Sequence, residues 1–406
     1  MPQPPQVDLF DPSFTANPYP TYAQLRSTDP VHRVTLPDSR VVWLVTRYND
    51  VASVLKDERF VKDWRNAPPP EQLPQMSPLP REMTKLQTGN FLFMDPPDHE
   101  RLRTLVSRAF TPRLVEQMRG RVQGVADALL DVVQDKGEMD LIDDYAYLLP
   151  ITVIAELLGV PAKDRYKFRE WSVTAVSGNR TQEYVQNILV PHMRAFTDYL
   201  RAMFEAKRKH PEDDLISALV QAEETGDKLS EDELFGTLFL LLVAGYETTV
   251  NLIGNGMLAL LQHRDQLQKL RDDPSLIHTA IEELLRYDGP FEISTERFAR
   301  EDVAIGETVI PKGEVVMAVI AAADHDPKRF PEPNKLDITR TDHKHLAFGK
   351  GIHYCLGAPL ARMEGQIAIG TLLRRMPNLR LKGTPKSLTW RPGLIFRGLQ
   401  GLPVEF

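Results

Sequence analysis

The sequence predicts a mainly α-helical protein that also contains small β-sheets. Three observations support this prediction. Apolar residues recur at helical spacing from about residue 99 to residue 209. A longer apolar run at 234–261 exceeds the length of an ordinary strand. Segments with the alternating pattern of strands are short and few, the clearest being 31–48 and 302–321.

The composition describes a globular protein and excludes several classes of function. Hydrophobic residues make up 42% of the 406 residues and charged residues 26%, which allows a large core. The net charge of -7 argues against a nucleic-acid-binding protein, which would carry a basic excess. A single cysteine permits no internal disulfide and suits a reducing cytosol. Because the first residues lack a basic segment followed by an apolar one, we expect no secretion signal and a cytoplasmic protein.

The first half of the chain predicts one hairpin, one irregular loop and a series of helices. Residues 1–10 are expected to form a disordered tail. Residues 31–48 alternate around the turn sequence PDSR and predict the hairpin. Proline is frequent at 67–80, which predicts a surface loop. The helical pattern that follows is interrupted at 111–112, at 159–161 and at Gly178.

The apolar run at 234–261 is long enough to span a bilayer, so a membrane helix and a core helix are both considered. Ser230 and Glu233 form a capping box just before it, as at the start of a helix in a globular protein. Glu247 lies near its middle, where a lone acid would be costly in lipid. The flanks also lack aromatic belts. We therefore expect a buried core helix and no membrane association.

The last part of the chain predicts a shorter helix at 275–289, the strands of 302–321 and then a glycine-rich loop around Cys355. An amphipathic helix follows the loop at 358–376. The final residues, 394–406, have an extended pattern.

The loop FGKGIHYCLG, residues 348–357, contains the only cysteine of the chain. Its glycines let the backbone approach a flat ligand closely and adopt positive φ. The predicted helix begins just after Cys355, so the sulfur lies near free N–H groups and the positive end of a helix dipole. A thiolate is favoured there, and thiolate is the form of cysteine that binds metals.

Three interpretations of this cysteine remain open on local grounds. It can be a buried structural residue, the usual fate of a lone thiol. It can belong to a zinc or non-haem iron site with neighbouring histidines. It can also be the axial thiolate of a haem. The candidate ligands of the second interpretation are His343, His345, His353 and Cys355.

The same loop resembles the haem-binding signature of the cytochrome P-450 monooxygenases, FxxGxxxCxG, at every defining position. The matching residues are Phe348, Gly351, Cys355 and Gly357. The resemblance implies a cytochrome P-450 fold, with a long central helix over haem b and Cys355 as the axial thiolate ligand. It also implies a monooxygenase that inserts one oxygen atom of O2 into a C–H bond of its substrate.

A second motif of the family, ExxR, is matched by Glu283 and Arg286, which share one helical face. The resemblance implies a buried structural pair near the haem, with Arg340 as a third partner. The same spacing recurs at 100/103, 116/119 and 205/208, where solvated helix charges are the simplest interpretation.

A third motif, AGYETT at 244–249, lies inside the long apolar helix, where Ala244 and Thr248 share one face. A buried acid such as Glu247 is expensive and usually functional. The resemblance implies that Thr248 orients O2 and nearby waters, that Glu247 belongs to the proton route, and that Ala244 contacts the haem.

The resemblance also implies the remaining cofactor contacts. His99 and Arg103, four residues apart on one helix, match a propionate-binding pair of the family. Arg297 and His353 match its other propionate contacts, and Gly349 belongs to the haem loop. Because these landmarks extend along nearly the whole chain, we expect residues 1–406 to form a single domain. Asp324 and His325 stand where bacterial members usually have Asn and Arg.

Partners and substrate follow from the same resemblance. No GxGxxG motif follows a predicted strand, so electrons must come from a ferredoxin or flavodoxin with an NAD(P)H-dependent reductase. We expect a monomer and a hydrophobic substrate, similar to a macrolide or polyketide, with a fatty acid or steroid as alternatives. The expected docking cations are Lys344, Lys350, Arg362, Arg374 and Arg375. The expected pocket comprises parts of 61–94 and 168–190 together with Leu240, Val243, Ala244, Ile293, Thr295 and Phe396.

Overall fold

A computed structural model of the chain describes residues 7–36, 40–67, 81–176, 181–224 and 229–406. The described residues fall into two compact units. The first unit comprises residues within 1–75, 122–148 and 248–406. The second comprises residues within 76–121 and 149–247. The boundary at 247/248 lies inside one continuous helix.

Helices dominate both units, as the sequence predicts. Their bounds are α1 (Pro12–Ala16), α2 (Tyr19–Thr28), α3 (Tyr48–Val54), α4 (Arg81–Thr88), α5 (Asp98–Ala109), α6 (Pro112–Gln117), α7 (Arg119–Val133), α8 (Leu148–Leu158), α9 (Arg165–Val176), α10 (Gln182–Tyr184), α11 (Val190–Lys209), α12 (Leu215–Glu224), α13 (Glu231–Gln262), α14 (Arg264–Asp272), α15 (Ile277–Asp288), α16 (Ile320–Asp324) and α17 (Ala358–Arg375).

All strands of the described chain belong to the first unit. They are β1 (Val31–Thr35), β2 (Val41–Val45), β3 (Phe60–Val61), β4 (Glu138–Asp140), β5 (Arg297–Ala299), β6 (Val303–Ile305), β7 (Thr308–Ile310), β8 (Val315–Ala318), β9 (Arg380–Leu381) and β10 (Pro403–Glu405). The largest sheet has the order β1-β2-β8-β5-β3, and its β2 and β8 run parallel. Two smaller antiparallel sheets, β4-β10-β9 and β6-β7, complete the set.

The predicted class, mainly α with small sheets, is confirmed. The hairpin is present as β1 and β2, paired from Val31 with Val45 to Thr35 with Val41, whereas its turn residues 37–39 lie outside the described residues. The proline-rich stretch 68–80 and the predicted break at Gly178 also lie outside them. Breaks appear at Thr111, which caps α6 by accepting the N–H of Leu114, and at Gly159 with φ of 76°.

Two details of the prediction are wrong. The strand pattern of 302–321 ends at Ala318, and α16 begins at Ile320, because an alanine-rich segment favours helix over strand. The tail predicted at residues 1–10 is also contradicted at residues 7–10, whereas residues 1–6 lie outside the described residues. Val7 and Leu9 are buried in an apolar cluster with Tyr22, which holds the start of the described chain against the first unit.

The second unit is entirely helical over its described residues. Aromatic rings from α9 and α11 pack together in it, with Phe168 and Trp171 at a centroid distance of 5.2 Å and Trp171 and Phe196 at 5.7 Å. Gly89 follows α4 and lies against the first turns of α13. A Cβ at Gly89 would lie 2.2 Å from the carbonyl oxygen of Asp232, so only glycine permits this approach.

Helix α13 begins with the predicted capping box. Ser230 N–H donates to Glu233 Oε2 at 2.8 Å, and Glu233 N–H donates to Ser230 Oγ at 3.2 Å. The helix is long and apolar enough to cross a membrane, yet 61% of its most apolar window is buried inside the protein. This burial agrees with the predicted core helix.

Candidate active site

The cysteine loop lies between α16 and α17 in the first unit. Gly349 and Gly351 have φ values of 70° and 77°, which side chains rarely adopt. A Cβ at Gly351 would also lie 2.9 Å from the carbonyl oxygen of Leu55. The N–H of Cys355 donates to the carbonyl oxygen of Phe348 at 2.9 Å, which closes the loop across its base. Glycine is therefore required for the loop to fold back in this way.

Cys355 lies just before the N-terminus of α17 and is half-buried. A Cβ added at Gly357 would contact its sulfur at 3.9 Å, so the missing side chain keeps one side of the sulfur clear. Two apolar residues of the loop are exposed, Ile352 at 45% and Tyr354 at 41%. The sulfur therefore has the helix dipole behind it and a glycine beside it, as a thiolate ligand requires.

A bare metal ion is not supported at this loop. In the described part of the chain, no group of three or more His, Cys, Asp or Glu side chains has the geometry to hold a metal ion. His345 instead contacts Glu282, with Nε2 at 3.2 Å from Oε2. The zinc or non-haem iron interpretation is therefore not supported. One thiolate in a glycine loop fits an iron whose other ligands come from a macrocycle.

The ExxR pair on α15 is buried, as the sequence predicts. Arg286 Nε and Nη2 donate to the two carboxylate oxygens of Glu283 at 2.7 and 2.8 Å, and both side chains are about 1% exposed. Arg340 Nε adds a third contact to Glu283 at 3.1 Å. Arg286 also donates to three main-chain carbonyl groups, which satisfies the rest of its guanidinium. These belong to Asp324, Pro333 and Lys335.

One other ExxR pair shows the contrast that burial makes. Glu116 and Arg119 form a contact of 2.6 Å, but their side chains are 64% and 45% exposed. This is the solvated ion pair that the sequence predicts for that position. The same ExxR spacing thus forms a buried ion pair on α15 and an exposed ion pair between α6 and α7.

Arg297 and His353 both belong to the first unit. Arg297 on β5 is buried, and its Nη atoms approach the carbonyl oxygens of Phe60 and Leu55 at 3.4 Å each. His353 lies two residues before Cys355 and is half-buried. A buried guanidinium this close to the loop fits an anionic group of a cofactor.

His99 and Arg103 lie one turn apart on α5 in the second unit. His99 is 1% exposed, and burial followed by the charge of Arg103 lowers its pKa to about 4. Its imidazole is therefore neutral at pH 7 and can donate one hydrogen bond. The Arg103 guanidinium lies over the ring of Phe91 at 5.7 Å.

The middle of α13 leaves a strip of small and apolar side chains in contact with solvent. Ala244 is exposed, and Leu240, Val243 and Thr248 are half-buried, although most of the helix is covered. Residues 240, 244 and 248 lie on one face at intervals of four. The adjacent Glu247 is buried, with 4% exposure. These four residues are therefore an accessible part of a mostly buried helix.

The remaining pocket residues are placed less uniformly. Ile293 is fully buried in the apolar cluster with Tyr22, so it supports the core and offers no surface to a substrate. Thr295 is half-buried and accepts a hydrogen bond from the ammonium of Lys62. Phe396 is half-buried and packs on Phe291 with ring centroids 5.0 Å apart.

The predicted docking cations are largely committed to ion pairs within the protein. Arg362 binds Glu282, and Arg375 binds Asp131 at 2.6 Å. Arg374 lies 3.6 Å from Asp127. Arg362 and Arg375 are thus paired with acids distant in the sequence, whereas the side chain of Arg374 stays 64% exposed. Lys344 is exposed and Lys350 is half-buried.

Sequence reasoning missed the buried carboxyl group of Glu364 and noted Asp324 only as a departure from the family pattern. Glu364 on α17 accepts a hydrogen bond from Thr249 Oγ1 at 3.2 Å, and burial raises its pKa to about 8. Asp324 accepts the N–H of Leu346 at 2.8 Å. The only signal in the sequence was an acid within an apolar segment, since both partners lie far away along the chain.

Comparison with known proteins agrees with this geometry. The sequence profile of the family described as cytochrome P-450 matches residues 174–390. The chain is 47% identical to the cytochrome P-450 monooxygenase PikC of Streptomyces venezuelae, over 99% of this chain and 95% of that protein.

Two solved structures are similar along nearly the whole chain. One is the myxobacterial cytochrome P-450 CYP267B1 in complex with myristic acid, with a TM-score of 0.92, 44% identity and coverage of 98% of each chain. The other is PksS of the bacillaene polyketide synthase of Bacillus subtilis, with a TM-score of 0.90, 41% identity and coverage of 98% of this chain and 99% of that one. Members of this family carry a haem with a thiolate ligand, and this chain has one cysteine.

Proposed function

Because this chain belongs to the cytochrome P-450 family, we propose that it hydroxylates a C–H bond of a hydrophobic small molecule with Cys355 as the thiolate ligand of its haem iron. The observation that supports the proposal most is the geometry of the only cysteine. Cys355 lies in a loop with two positive-φ glycines, its N–H is held by Phe348, and α17 begins just after it. When bound, the haem supplies the activation of O2.

The cofactor contacts of the chain follow from charge and position. Arg297 and His353 bind one propionate in this proposal, because a guanidinium and an imidazole can both donate hydrogen bonds to a carboxylate. His99 and Arg103 bind a propionate as a neutral donor and a cation. Phe348, Gly349 and Gly357 shape the loop, and Ala244 leaves space on α13. The buried pair of Glu283 and Arg286, with Arg340, holds the segments beneath the loop in place.

Proton delivery is assigned to two adjacent residues of α13. Thr248 is half-buried, so its hydroxyl can exchange hydrogen bonds with water and with O2. Glu247 is buried, and a carboxyl group there can hold a proton and pass it on. Thr248 thus orients the oxygen molecule, and Glu247 supplies protons to that position.

The substrate is proposed to be a polyketide-like or macrolide-like molecule, with a long-chain fatty acid as the second candidate. PksS is the cytochrome P-450 of the bacillaene polyketide synthase, and CYP267B1 was solved with myristic acid. In this chain Leu240, Val243 and Phe396 provide apolar, partly accessible surface. A spectral titration with a panel of polyketides, macrolides, fatty acids and steroids discriminates these classes, since a true substrate would change the absorption spectrum of the bound haem.

The decisive experiment is the absorption spectrum of the reduced, CO-treated protein. We expect the strongly red-shifted band of thiolate-ligated haem. Cys355→Ala removes the only thiol and should abolish that band, whereas Ser387→Ala, a substitution at an exposed hydroxyl, should preserve it. A wild-type protein without the band, or a Cys355→Ala variant that retains it, overturns the proposal.

Electrons are proposed to arrive from a separate ferredoxin or flavodoxin that is reduced by an NAD(P)H-dependent reductase. The exposed Ile352 and Tyr354 form the apolar centre of the docking surface, and Lys344 and Lys350 add positive charge beside it. Reconstitution with each type of donor tests this. Equally fast reduction of this protein by an unrelated acidic electron carrier would contradict the proposed docking surface.

We also propose that the protein is a cytoplasmic monomer and that its two units fold as one domain. Helix α13 is continuous across the unit boundary, so unfolding either half would break a shared helix. Sedimentation equilibrium tests the monomer, and cell fractionation tests the location. A single cooperative unfolding transition is expected, and two separate transitions would contradict the single domain.

A further inference from the structure

We propose that Asp324 is a positioning residue for the thiolate loop, which it holds through a hydrogen bond to the main chain of Leu346. The inference rests on the proposed function, because it concerns the loop of Cys355. Asp324 is the last residue of α16 and is 1% exposed. Its Oδ1 accepts the N–H of Leu346 at 2.8 Å.

Leu346 is the point at which the loop begins to turn. Its carbonyl oxygen accepts the N–H of Gly349 at 2.7 Å, and Phe348, between them, accepts the N–H of Cys355 at 2.9 Å. The side chain of Leu346 is buried, with 2% exposure. The carboxylate of Asp324 therefore fixes the first residue of a short hydrogen-bonded chain that ends at the cysteine.

The other side of Asp324 is fixed by the buried ion pair. Its main-chain carbonyl oxygen accepts Arg286 Nη1 at 2.9 Å, while Arg286 binds Glu283. Asp324 thus links α15 to the start of the loop, through its main chain on one side and its side chain on the other. Removing the side-chain acceptor should free the loop without breaking the ion pair.

The acceptor atom matters more than the charge. Burial raises the pKa of Asp324 to about 7, against the influence of His345, the N–H of Leu346 and nearby arginines. Both the protonated and the ionised carboxyl group keep an oxygen that can accept from Leu346. An asparagine has the same shape and also provides such an oxygen, whereas leucine fills the space without one.

Asp326 provides a matched control in the same turn. It is also buried, at 4% exposure, and accepts a main-chain N–H, that of Tyr48, at 3.0 Å. Its bond joins α3 to the turn and does not involve the cysteine loop. Asp326→Ala should therefore lower stability without a specific effect on Leu346.

Amide hydrogen exchange and the CO spectrum together test the proposal. In the wild-type holoprotein, the Leu346 amide should exchange slowly. Asp324→Leu should accelerate exchange of the Leu346 amide by roughly 10- to 100-fold. The same variant should lose part of the red-shifted CO band and gain the band of a haem protein without a thiolate ligand. Asp324→Asn should restore slow exchange and the full band, and Asp326→Ala should change neither.

Several results would overturn the inference. The inference is overturned if the Leu346 amide of the wild-type protein exchanges as fast as a solvated amide, and this measurement needs no variant to fold. It is also overturned if Asp324→Leu keeps slow exchange and an intact CO band. An effect of Asp326→Ala equal to that of Asp324→Leu would overturn it as well. Absence of the thiolate band from the wild-type protein overturns the proposed function instead, and so the two failures are distinguishable.

Discussion

Arg362 binds Glu282 through two nitrogen atoms, with Nε 2.7 Å and Nη2 2.9 Å from the carboxylate oxygens. Burial alone would raise the pKa of Glu282, but hydrogen bonds from His345 and Arg362 lower it to about 2. The Arg362 guanidinium also lies 4.4 Å from the ring centre of Phe348. This arginine therefore supports the cysteine loop and contributes little charge to a docking surface.

Charge on the docking surface should consequently depend on the two lysines. We expect Lys344→Glu and Lys350→Glu each to slow reduction by an acidic donor about two- to fivefold at low salt, with the difference disappearing at high salt. Stopped-flow reduction rates over a range of ionic strength measure this effect. Arg362→Gln is the control and should weaken the thiolate band while leaving the salt dependence unchanged. Identical salt dependence in all four proteins would refute the lysine assignment.

The buried ExxR pair should contribute far more to stability than the exposed one. Arg286→Met leaves the carboxylate of Glu283 buried with one fewer partner and should cost about 3–5 kcal/mol of unfolding free energy. Arg119→Met removes the partner of Glu116 on the surface and should have a far smaller effect, because water and salt screen an exposed ion pair. Urea denaturation of both variants provides the measurement. Similar losses would mean that burial does not distinguish the two pairs.

Thr248 should affect the use of electrons and leave the fold intact. In Thr248→Ala we expect normal stability and a normal CO band, but several-fold more hydrogen peroxide and less product per electron. The reason is that the methyl group cannot hold the water that delivers protons. Thr249→Ala is the matched control, since its hydroxyl is buried against Glu364, and it should not uncouple the reaction. Unchanged coupling in Thr248→Ala removes Thr248 from the mechanism.

The parts that the sequence predicted are those encoded by local spacing. The cysteine loop depends on glycines within a few residues of Cys355, and the ExxR pair depends on one helical turn, so both were visible. The capping box of α13 was visible for the same reason. Short strands such as β3 and β9 were missed, because two residues carry no periodic pattern.

What the sequence could not predict depends on contacts between distant segments. Arg362 was assigned to a surface because its partner Glu282 lies 80 positions away. Ile293 was assigned to the pocket because the residue type alone does not show whether an apolar side chain lines a cavity or fills a core. The link between Asp324 and Leu346 spans 22 positions of irregular chain after α16, so no pattern along the sequence reveals it.

Glu364 should make the protein less stable as pH rises towards 8. Its folded-state pKa is about 8, because burial disfavours the charged form, whereas an unfolded glutamate titrates near 4.5. Between these values the folded state holds a proton that the unfolded state has lost. The unfolding free energy should therefore fall with increasing pH, by up to about 1.4 kcal/mol per pH unit for this group. Below the pKa of the unfolded-state glutamate, Glu364 is protonated in both states and adds no pH dependence to the unfolding free energy.

Glu364→Gln tests this dependence, because the amide keeps an acceptor for Thr249 and cannot ionise. We expect the variant to have a flatter stability profile between pH 5 and 8 and to exceed the wild type in stability at pH 8. The variant should keep part of the pH dependence of its unfolding free energy, with the same sign, because burial also raises the pKa values of Glu292 and Asp324 to about 7. The exposed Glu116→Gln is the control and should leave the profile unchanged over this range, because an ion pair with Arg119 lowers its pKa. Parallel profiles for Glu364→Gln and the wild type would show that the buried carboxyl group does not titrate there.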